Sequence, residues 1–320
     1  MLRKPEELPG EDLRDLGFGA RVVTESKLRL LNKDGTFNVV RRGLHFFRSR
    51  SIYQSLIIIP WWQFNTMLIL GYLGMNLIFT VAYASAGPEA INGMTGASAG
   101  ERIMEAFFFS VQTITTVGYG SLHPVSVGAN ILVALEAFIG LSGFAVAAAL
   151  MFARLSRPVA KFIYSHCATI GPYKDGSAFM FRVANGGQSQ LLDVEARLIM
   201  THFEDVDGIW TRRFNELKLE RRKVAFFPLY WTVVHAIDEH SPLWGMTEAH
   251  LSASEAEFLV LVTAIDETFS ETVHARSSYR YDEVLWNRKF SSIFQESPDG
   301  RLAIDVGEIH EMQEVEVTAA

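Results

Sequence analysis

The chain has 320 residues, 49% of them hydrophobic, with a single cysteine and a formal net charge of −7. One cysteine excludes an internal disulfide framework. Residues 1–160 carry 14 Lys and Arg against 11 Asp and Glu, a net of +3, whereas residues 161–320 carry 15 against 25, a net of −10. The acidic second half argues against a nucleic-acid partner, which needs a basic face. The hydrophobic content favours a membrane part joined to a soluble part.

The first 50 residues are polar and lack the apolar core of a signal peptide, so we expect a cytoplasmic N-terminal segment over residues 1–50. Asn32–Gly35 predicts a turn within this segment. Basic residues gather towards its end, and they include Arg41, Arg42, Arg48 and Arg50.

A stretch without any charged residue, Ser51–Pro88, follows and is longer than the roughly 20 residues of one membrane crossing. Pro60 divides it, so we predict an amphipathic helix on the membrane surface over Arg50–Ile59 and a first crossing over Trp61–Tyr83. The aromatic residues at both ends of that crossing suit the two membrane interfaces.

The next segments predict a re-entrant loop and a second crossing. Residues 84–100 are small, polar and free of Lys and Arg, which places this loop outside and both termini inside. Residues 101–115 are too short to span a membrane and fit a pore helix, which is tolerated at that depth only inside protein or beside water. Residues 128–153 predict the second crossing, so the pore domain covers residues 51–158.

Beyond Pro158 the hydrophobic pattern changes to a period of two, as in Ser177–Ala184 and much of Gln190–Met200. Clusters of Gly, Asn, Asp and Pro separate several such runs. This pattern predicts a β-sandwich domain over residues 159–300, followed by an acidic C-terminal tail over residues 301–320.

The motif between the pore helix and the second crossing predicts a potassium selectivity filter. Such a filter lines up backbone carbonyls that replace the hydration shell of the ion, and glycine reaches dihedrals that other residues avoid. One loop cannot enclose an ion, so we expect a homotetramer with K⁺ as the permeant ion and no other cofactor. The filter residues are Thr116, Val117, Gly118, Tyr119 and Gly120.

Four further stretches resemble the inward-rectifier potassium channel family, especially its prokaryotic members. They are Asn32–Gly35, Ala153–Pro158, His235–Trp244, and Ala275–Tyr279 with the following Glu283–Trp286. The resemblance covers most of the chain. It implies a two-helix pore domain joined to an immunoglobulin-like cytoplasmic β-sandwich that tetramerises and extends the pore.

The resemblance also assigns roles within the second crossing. It makes Phe152 the position of an apolar gate, against plain lipid packing, and Gly140 a hinge for opening, against close helix packing. The acidic position that traps polyamines in strong rectifiers is occupied here by Phe144, so strong rectification by block is not expected.

Glu136 is the only ionisable residue within the second crossing, where a charge is costly. We expect it to face the pore helix and the back of the filter, either as a structural brace or with a part in conduction.

Basic residues at the inner membrane face are candidates for binding anionic lipid such as phosphoinositide, although ordinary membrane topology would also place them there. They are Arg48, Arg50, Arg154, Arg157 and Lys161.

Two other classes of protein fit less well. No arginine-repeat helix precedes the pore and no nucleotide-binding glycine pattern follows it, which disfavours a voltage- or nucleotide-gated channel. No catalytic constellation supports a membrane-anchored enzyme or a signalling receptor. We therefore predict a non-enzymatic channel of the bacterial inner membrane with both termini in the cytoplasm.

Overall fold

The computed structural model describes residues 29–38, 52–87, 89–157, 161–206, 208–227, 229–296 and 302–315. The chain divides into two compact units. One unit, called here the helical unit, is Arg42–Arg157. The other, the sandwich unit, combines Met1–Arg41 with Pro158–Ala320. Each unit has its own hydrophobic core.

Four helices make up the described part of the helical unit: α1 Ile52–Ile58, α2 Trp61–Ser85, α3 Ala99–Ile114 and α4 Val127–Leu155. Helices α2 and α4 are long and apolar enough to cross a membrane. Helix α3 has 16 residues and is therefore only about 24 Å long, less than a bilayer core. Pro60 lies immediately before α2, a position where its missing N–H leaves no helical hydrogen bond unmade.

Helix α3 begins where its sequence supplies a capping box. The Ser98 hydroxyl accepts a hydrogen bond from the N–H of Glu101 at 3.2 Å, and the Glu101 carboxylate accepts one from the N–H of Ser98 at 3.0 Å. These bonds satisfy N–H groups that have no partner within the helix. The helix packs on α2 through Phe109, whose ring centroid lies 5.0 Å from that of Tyr83. Two short strands, β1 Ile91–Asn92 before α3 and β2 His123–Pro124 before α4, pair with each other.

The sandwich unit contains two five-stranded sheets within its described residues. The first sheet joins β3 Phe162–Tyr164, β4 Ala168–Tyr173, β5 Gly176–Asn185, β9 Tyr230–Ile237 and β12 Val284–Trp286. The second joins β6 Leu191–Val206, β7 Ile209–Leu217, β8 Lys223–Phe227, β10 Glu257–Asp266 and β11 Glu271–Arg280. A short helix, α5 Glu248–Ala253, precedes β10.

The two sheets share one core. The buried rings of Phe179 on β5 and Phe258 on β10 stack with centroids 4.3 Å apart, and Phe181 and Tyr279 pack in the same cluster. Strand β5 is buried on both faces, because Ala178 and Met180 on its other side pack in a second, smaller cluster with Val234 and Phe290. The predicted β-sandwich is confirmed.

The C-terminal residues differ from the acidic tail predicted over residues 301–320. Strands β13 Arg288–Phe290 and β16 Met312–Glu314 pair with each other, as do β14 Phe294–Glu296 and β15 Leu302–Ile304. Three-residue strands are too short to show an alternating pattern, which is why the sequence does not reveal them.

A 3₁₀ turn before β16 docks this C-terminal segment on the sandwich. Ile309 within the turn is fully buried. The imidazole of His310 stacks on that of His166 with centroids 3.5 Å apart. The His310 Nδ1 also accepts the backbone N–H of His166 at 3.1 Å.

Residues 29–38 form a small hairpin on the sandwich unit. The predicted turn at Asn32–Gly35 is confirmed by a hydrogen bond from the N–H of Gly35 to the carbonyl of Asn32, at 2.9 Å. Arg29 binds both carboxylate oxygens of Glu283, at 3.0 and 3.1 Å. The backbone N–H groups of the buried Leu30 and Leu31 both donate to the carboxylate of Glu257.

Candidate ion-conducting site

The segment after α3 has an alternating backbone. Thr116, Gly118 and Gly120 have positive φ angles of 58°, 50° and 85°. In an extended strand, successive peptide groups face opposite ways. Positive φ at every second residue breaks that pattern and allows successive carbonyls to point towards one axis. Glycine adopts such angles freely, whereas a residue like Thr116 does so at a cost. The side chains of Val117 and Tyr119, between them, are 53% and 79% exposed in the single chain.

The end of α3 is bonded directly to this segment. The carbonyl of Gln112 accepts the N–H of Val117 at 2.9 Å and that of Gly118 at 3.3 Å, and the carbonyl of Thr113 accepts the N–H of Thr116 at 3.0 Å. The last carbonyls of a helix have no partner within it, so these amides satisfy them. The same helix end carries a partial negative charge, which favours a cation beside it.

Glu136 on α4 joins the three long helices of this unit. Its side chain is fully buried, and the Tyr83 hydroxyl on α2 donates to its Oε2 at 2.6 Å. The Ser110 hydroxyl on α3 contacts its other oxygen, Oε1. The carboxyl group therefore faces α3 at Ser110, which is two residues before Gln112.

Comparison with known proteins assigns both units. Residues 63–157 match a family model described as "Ion channel", and residues 162–320 match one described as "Inward rectifier potassium channel C-terminal domain". A curated relative, "Inward rectifier potassium channel Kirbac3.1" of Paramagnetospirillum magnetotacticum, is 40% identical over 291 residues, covering 89% of this chain and 96% of the relative.

This chain belongs to the inward-rectifier potassium channel family. More distant relatives include "ATP-sensitive inward rectifier potassium channel 12" of Bos taurus, 27% identical over 94% of this chain and 76% of its own length. Another is "G protein-activated inward rectifier potassium channel 3" of Mus musculus, 28% identical over 90% of this chain and 78% of its own length. The resemblance read from the sequence is confirmed, and the family consists of channels rather than enzymes.

Gly140 lies where α4 crosses the end of α3. A Cβ at Gly140 would stand 2.5 Å from the carbonyl oxygen of Ile114, the last residue of α3. A Cβ built at Gly143, three residues further along α4, would have no atom of the described chain within 4 Å. The close approach of α4 to the end of α3 therefore requires glycine at position 140 but not at position 143.

The two phenylalanines of the inward-rectifier prediction both lie on exposed parts of α4. Phe144 is 74% exposed and Phe152 is 72% exposed in the single chain. Phe152 lies in the last turn of the helix, which ends at Leu155. Neither ring contributes to the hydrophobic clusters of the described residues.

Arg154, a predicted lipid contact, is engaged within the helical unit. Its guanidinium donates to the carbonyls of Ile57 at 3.1 Å and Ile59 at 2.7 Å, at the end of α1. It also lies over the rings of Trp61 and Phe64, with centroids at 4.6 and 4.7 Å. The arginine thereby satisfies carbonyl groups left without partners at the end of α1.

The other predicted lipid contacts are placed less fully. Arg157 and Lys161 are exposed. The backbone carbonyl of Lys161 accepts the N–H of Gly186 at 2.7 Å, a bond that does not involve the Lys161 ammonium group. Arg48 and Arg50 lie outside the described residues.

Several residues of the site were missed by sequence reasoning. Asn76, Ser110 and Tyr83 belong to the Glu136 network, and the backbone carbonyl of Gln112 binds the amides of Val117 and Gly118. Asn76 carried a usable signal, because an amide in the middle of a charge-free crossing needs a hydrogen-bonding partner. The backbone contact of Gln112 carries no signal in its side chain.

Proposed function

We propose that four copies of this chain form a potassium-selective pore in which Thr116–Gly120 is the filter and K⁺ is the permeant ion. The observation that carries this proposal is the alternation of positive φ along that segment, directly after a pore helix whose final carbonyls bind its amides. The exposed side chains of Val117 and Tyr119 give each chain a surface for neighbouring subunits. A ring of four is the arrangement in which single loops enclose an ion on a common axis.

Gly118→Ala tests the filter. No atom lies within 4 Å of a Cβ built at Gly118 in the described chain, so the change acts through its φ of 50° rather than through a clash. We expect loss of rubidium uptake into liposomes while tetramers persist. Gly128→Ala is the matched control, since it also meets nothing within 4 Å but lies in α4 with an ordinary helical backbone. Normal potassium selectivity in Gly118→Ala would refute the assignment.

The proposed gate is a ring of four Phe152 side chains at the inner end of the helix bundle. A narrow apolar ring loses its water, and a hydrated ion then crosses it poorly. The exposure of Phe152 in the last turn of α4 supports this role. Movement of the cytoplasmic domain would open the ring through the chain that follows α4, with Gly140 as the bending point or as a fixed contact. Glu136 would support the filter from behind.

Anionic lipid, with phosphoinositide as the test case, is proposed to bias this gate. The support is the run of basic residues around the inner ends of the crossings, of which Arg157 and Lys161 are exposed. Arg154 would act instead by holding α1. The bacterial inner membrane, with both termini in the cytoplasm, is the proposed location, because the basic residues flank the crossings on that side.

A further inference from the structure

Three polar side chains are fully buried in the helical unit, on three different helices. Asn76 on α2, Ser110 on α3 and Glu136 on α4 are each 0% exposed. Polar groups in apolar surroundings are costly unless they are hydrogen-bonded, so their presence calls for a specific arrangement. Only the carboxyl group was singled out by the sequence.

Ser110 is the point at which these side chains meet. Its hydroxyl lies 3.1 Å from Asn76 Oδ1 and also contacts Glu136 Oε1. Tyr83 donates to the second carboxyl oxygen at 2.6 Å. The orientation of the Asn76 amide follows from its other bond, because its Nδ2 donates to the carbonyl of Tyr72 at 2.7 Å and leaves Oδ1 for the serine.

The network reaches the filter through a short length of helix. Ser110 is two residues before Gln112, whose carbonyl accepts the N–H groups of Val117 and Gly118. A helix transmits a shift or rotation at one residue to the next turn, because its backbone is held by its own hydrogen bonds. The position of the Ser110 side chain therefore fixes the carbonyl to which the filter backbone is attached.

We propose that Asn76 and Ser110 are positioning residues of the selectivity filter, holding the pore helix at the depth and rotation that selective conduction requires. Neither touches the permeant ion; they act through Gln112. The proposal rests on Thr116–Gly120 being the filter. Under this proposal the network is needed for ion selectivity. If it served helix packing alone, it would be needed only for assembly.

Ser110→Ala is the primary test. It removes the hydroxyl while leaving a side chain of similar size, so the buried oxygens of Asn76 and Glu136 lose their shared partner. In purified tetramers reconstituted into liposomes, we expect the preference for rubidium over sodium to fall roughly tenfold, equivalent to about 1.4 kcal/mol. Tetramer yield should stay close to wild type. Ser110→Thr keeps the hydroxyl and should lie nearer wild type than Ser110→Ala.

Asn76→Leu removes the same contact from its other side, on α2, and should also lower the preference for rubidium over sodium. Because both changes break one contact, the double variant should be no worse than the more affected single variant. Ser85→Ala is the control, since Ser85 on α2 bonds only within its own helix, to the carbonyl of Ala82 at 2.7 Å, and is exposed.

Wild-type selectivity in assembled tetramers of both Ser110→Ala and Asn76→Leu would overturn the proposal. Loss of assembly in both would also overturn it, because the residues would then determine folding rather than filter position. A wild-type channel without preference for rubidium over sodium would instead contradict the filter assignment itself, so the two failures are distinguishable.

Discussion

Replacing Gly140 by alanine tests whether this position serves close packing or bending. The new Cβ would lie 2.5 Å from the carbonyl oxygen of Ile114 and 2.7 Å from its Cγ1. Ordinary contact begins at 3.4 Å, so α4 and the end of the pore helix must separate by about 0.9 Å. Ile114 is two residues before Thr116, and the movement would therefore enter the filter.

The expected energy follows from two opposing effects. Overpacking of a tight contact costs about 1–3 kcal/mol. Alanine stabilises a helix by about 1 kcal/mol relative to glycine, which offsets part of that cost. Gly140→Ala should therefore destabilise the tetramer by about 0–2 kcal/mol per subunit. Gly143→Ala, which meets nothing within 4 Å in the described chain, should retain the helix-stabilising effect.

Two measurements on the same purified variants separate the interpretations. We expect Gly140→Ala to lower both the thermal midpoint of the tetramer and its rubidium-over-sodium preference, while Gly143→Ala lowers neither. The packing argument would be refuted by a Gly140→Ala channel with wild-type stability and selectivity. If that channel also opened less often, Gly140 would be a hinge.

Three further predictions concern the pore and the C-terminal segment. Spermine block should be weak in wild type and should strengthen in Phe144→Asp, measured as voltage-dependent block, because the substitution adds a charge where Phe144 has none. Phe152→Ala should raise basal rubidium uptake and reduce the response to phosphoinositide, because it widens the proposed apolar ring. Burial, and then the neighbouring His166, lower the pKa of His310, so its neutral form is favoured when the segment is docked. That contribution is present above about pH 6.5 and is lost as the pH falls through the lowered pKa, so acid should lower the thermal midpoint of wild type more than that of His310→Gln.

Each of these predictions has an outcome that contradicts it. Strong spermine block in wild type would require a charge elsewhere, with the acidic residues of the sandwich unit as the next candidates. Unchanged uptake and unchanged lipid response in Phe152→Ala would move the gate to the filter or to the loop near Ser270–His274. Parallel pH curves for wild type and His310→Gln would show that docking of the C-terminal segment does not depend on the neutral form of His310.

The sequence is most informative where function requires a continuous motif. Thr116–Gly120 is predicted to be a filter because such a filter needs glycines at fixed positions, and the apolar stretches around it are long enough to predict crossings. The sandwich is predictable because several β-rich runs are separated by clusters of Gly, Asn, Asp and Pro. Both features depend on residues that are neighbours in the chain.

The sequence predicted that Glu136 faces the pore helix, but the individual partners of residues far apart in the chain could not be predicted. Glu136 meets Tyr83 and Ser110 across separations of 53 and 26 residues, and Arg154 meets Ile59 across 95. A basic residue at a membrane boundary is typical of a lipid contact, and nothing local indicates that helix carbonyls will occupy it. The left-handed φ of Thr116 is equally hidden, because threonine rarely adopts it.

Rubidium uptake by the wild-type channel, with potassium or sodium as the competing ion, tests the central claim most directly. The protein would be purified as a tetramer and reconstituted into liposomes containing anionic lipid or lacking it. A potassium-selective filter at Thr116–Gly120 predicts that external potassium suppresses rubidium uptake strongly while equal sodium leaves it almost unchanged. Equal suppression by the two ions in both kinds of liposome would contradict the account.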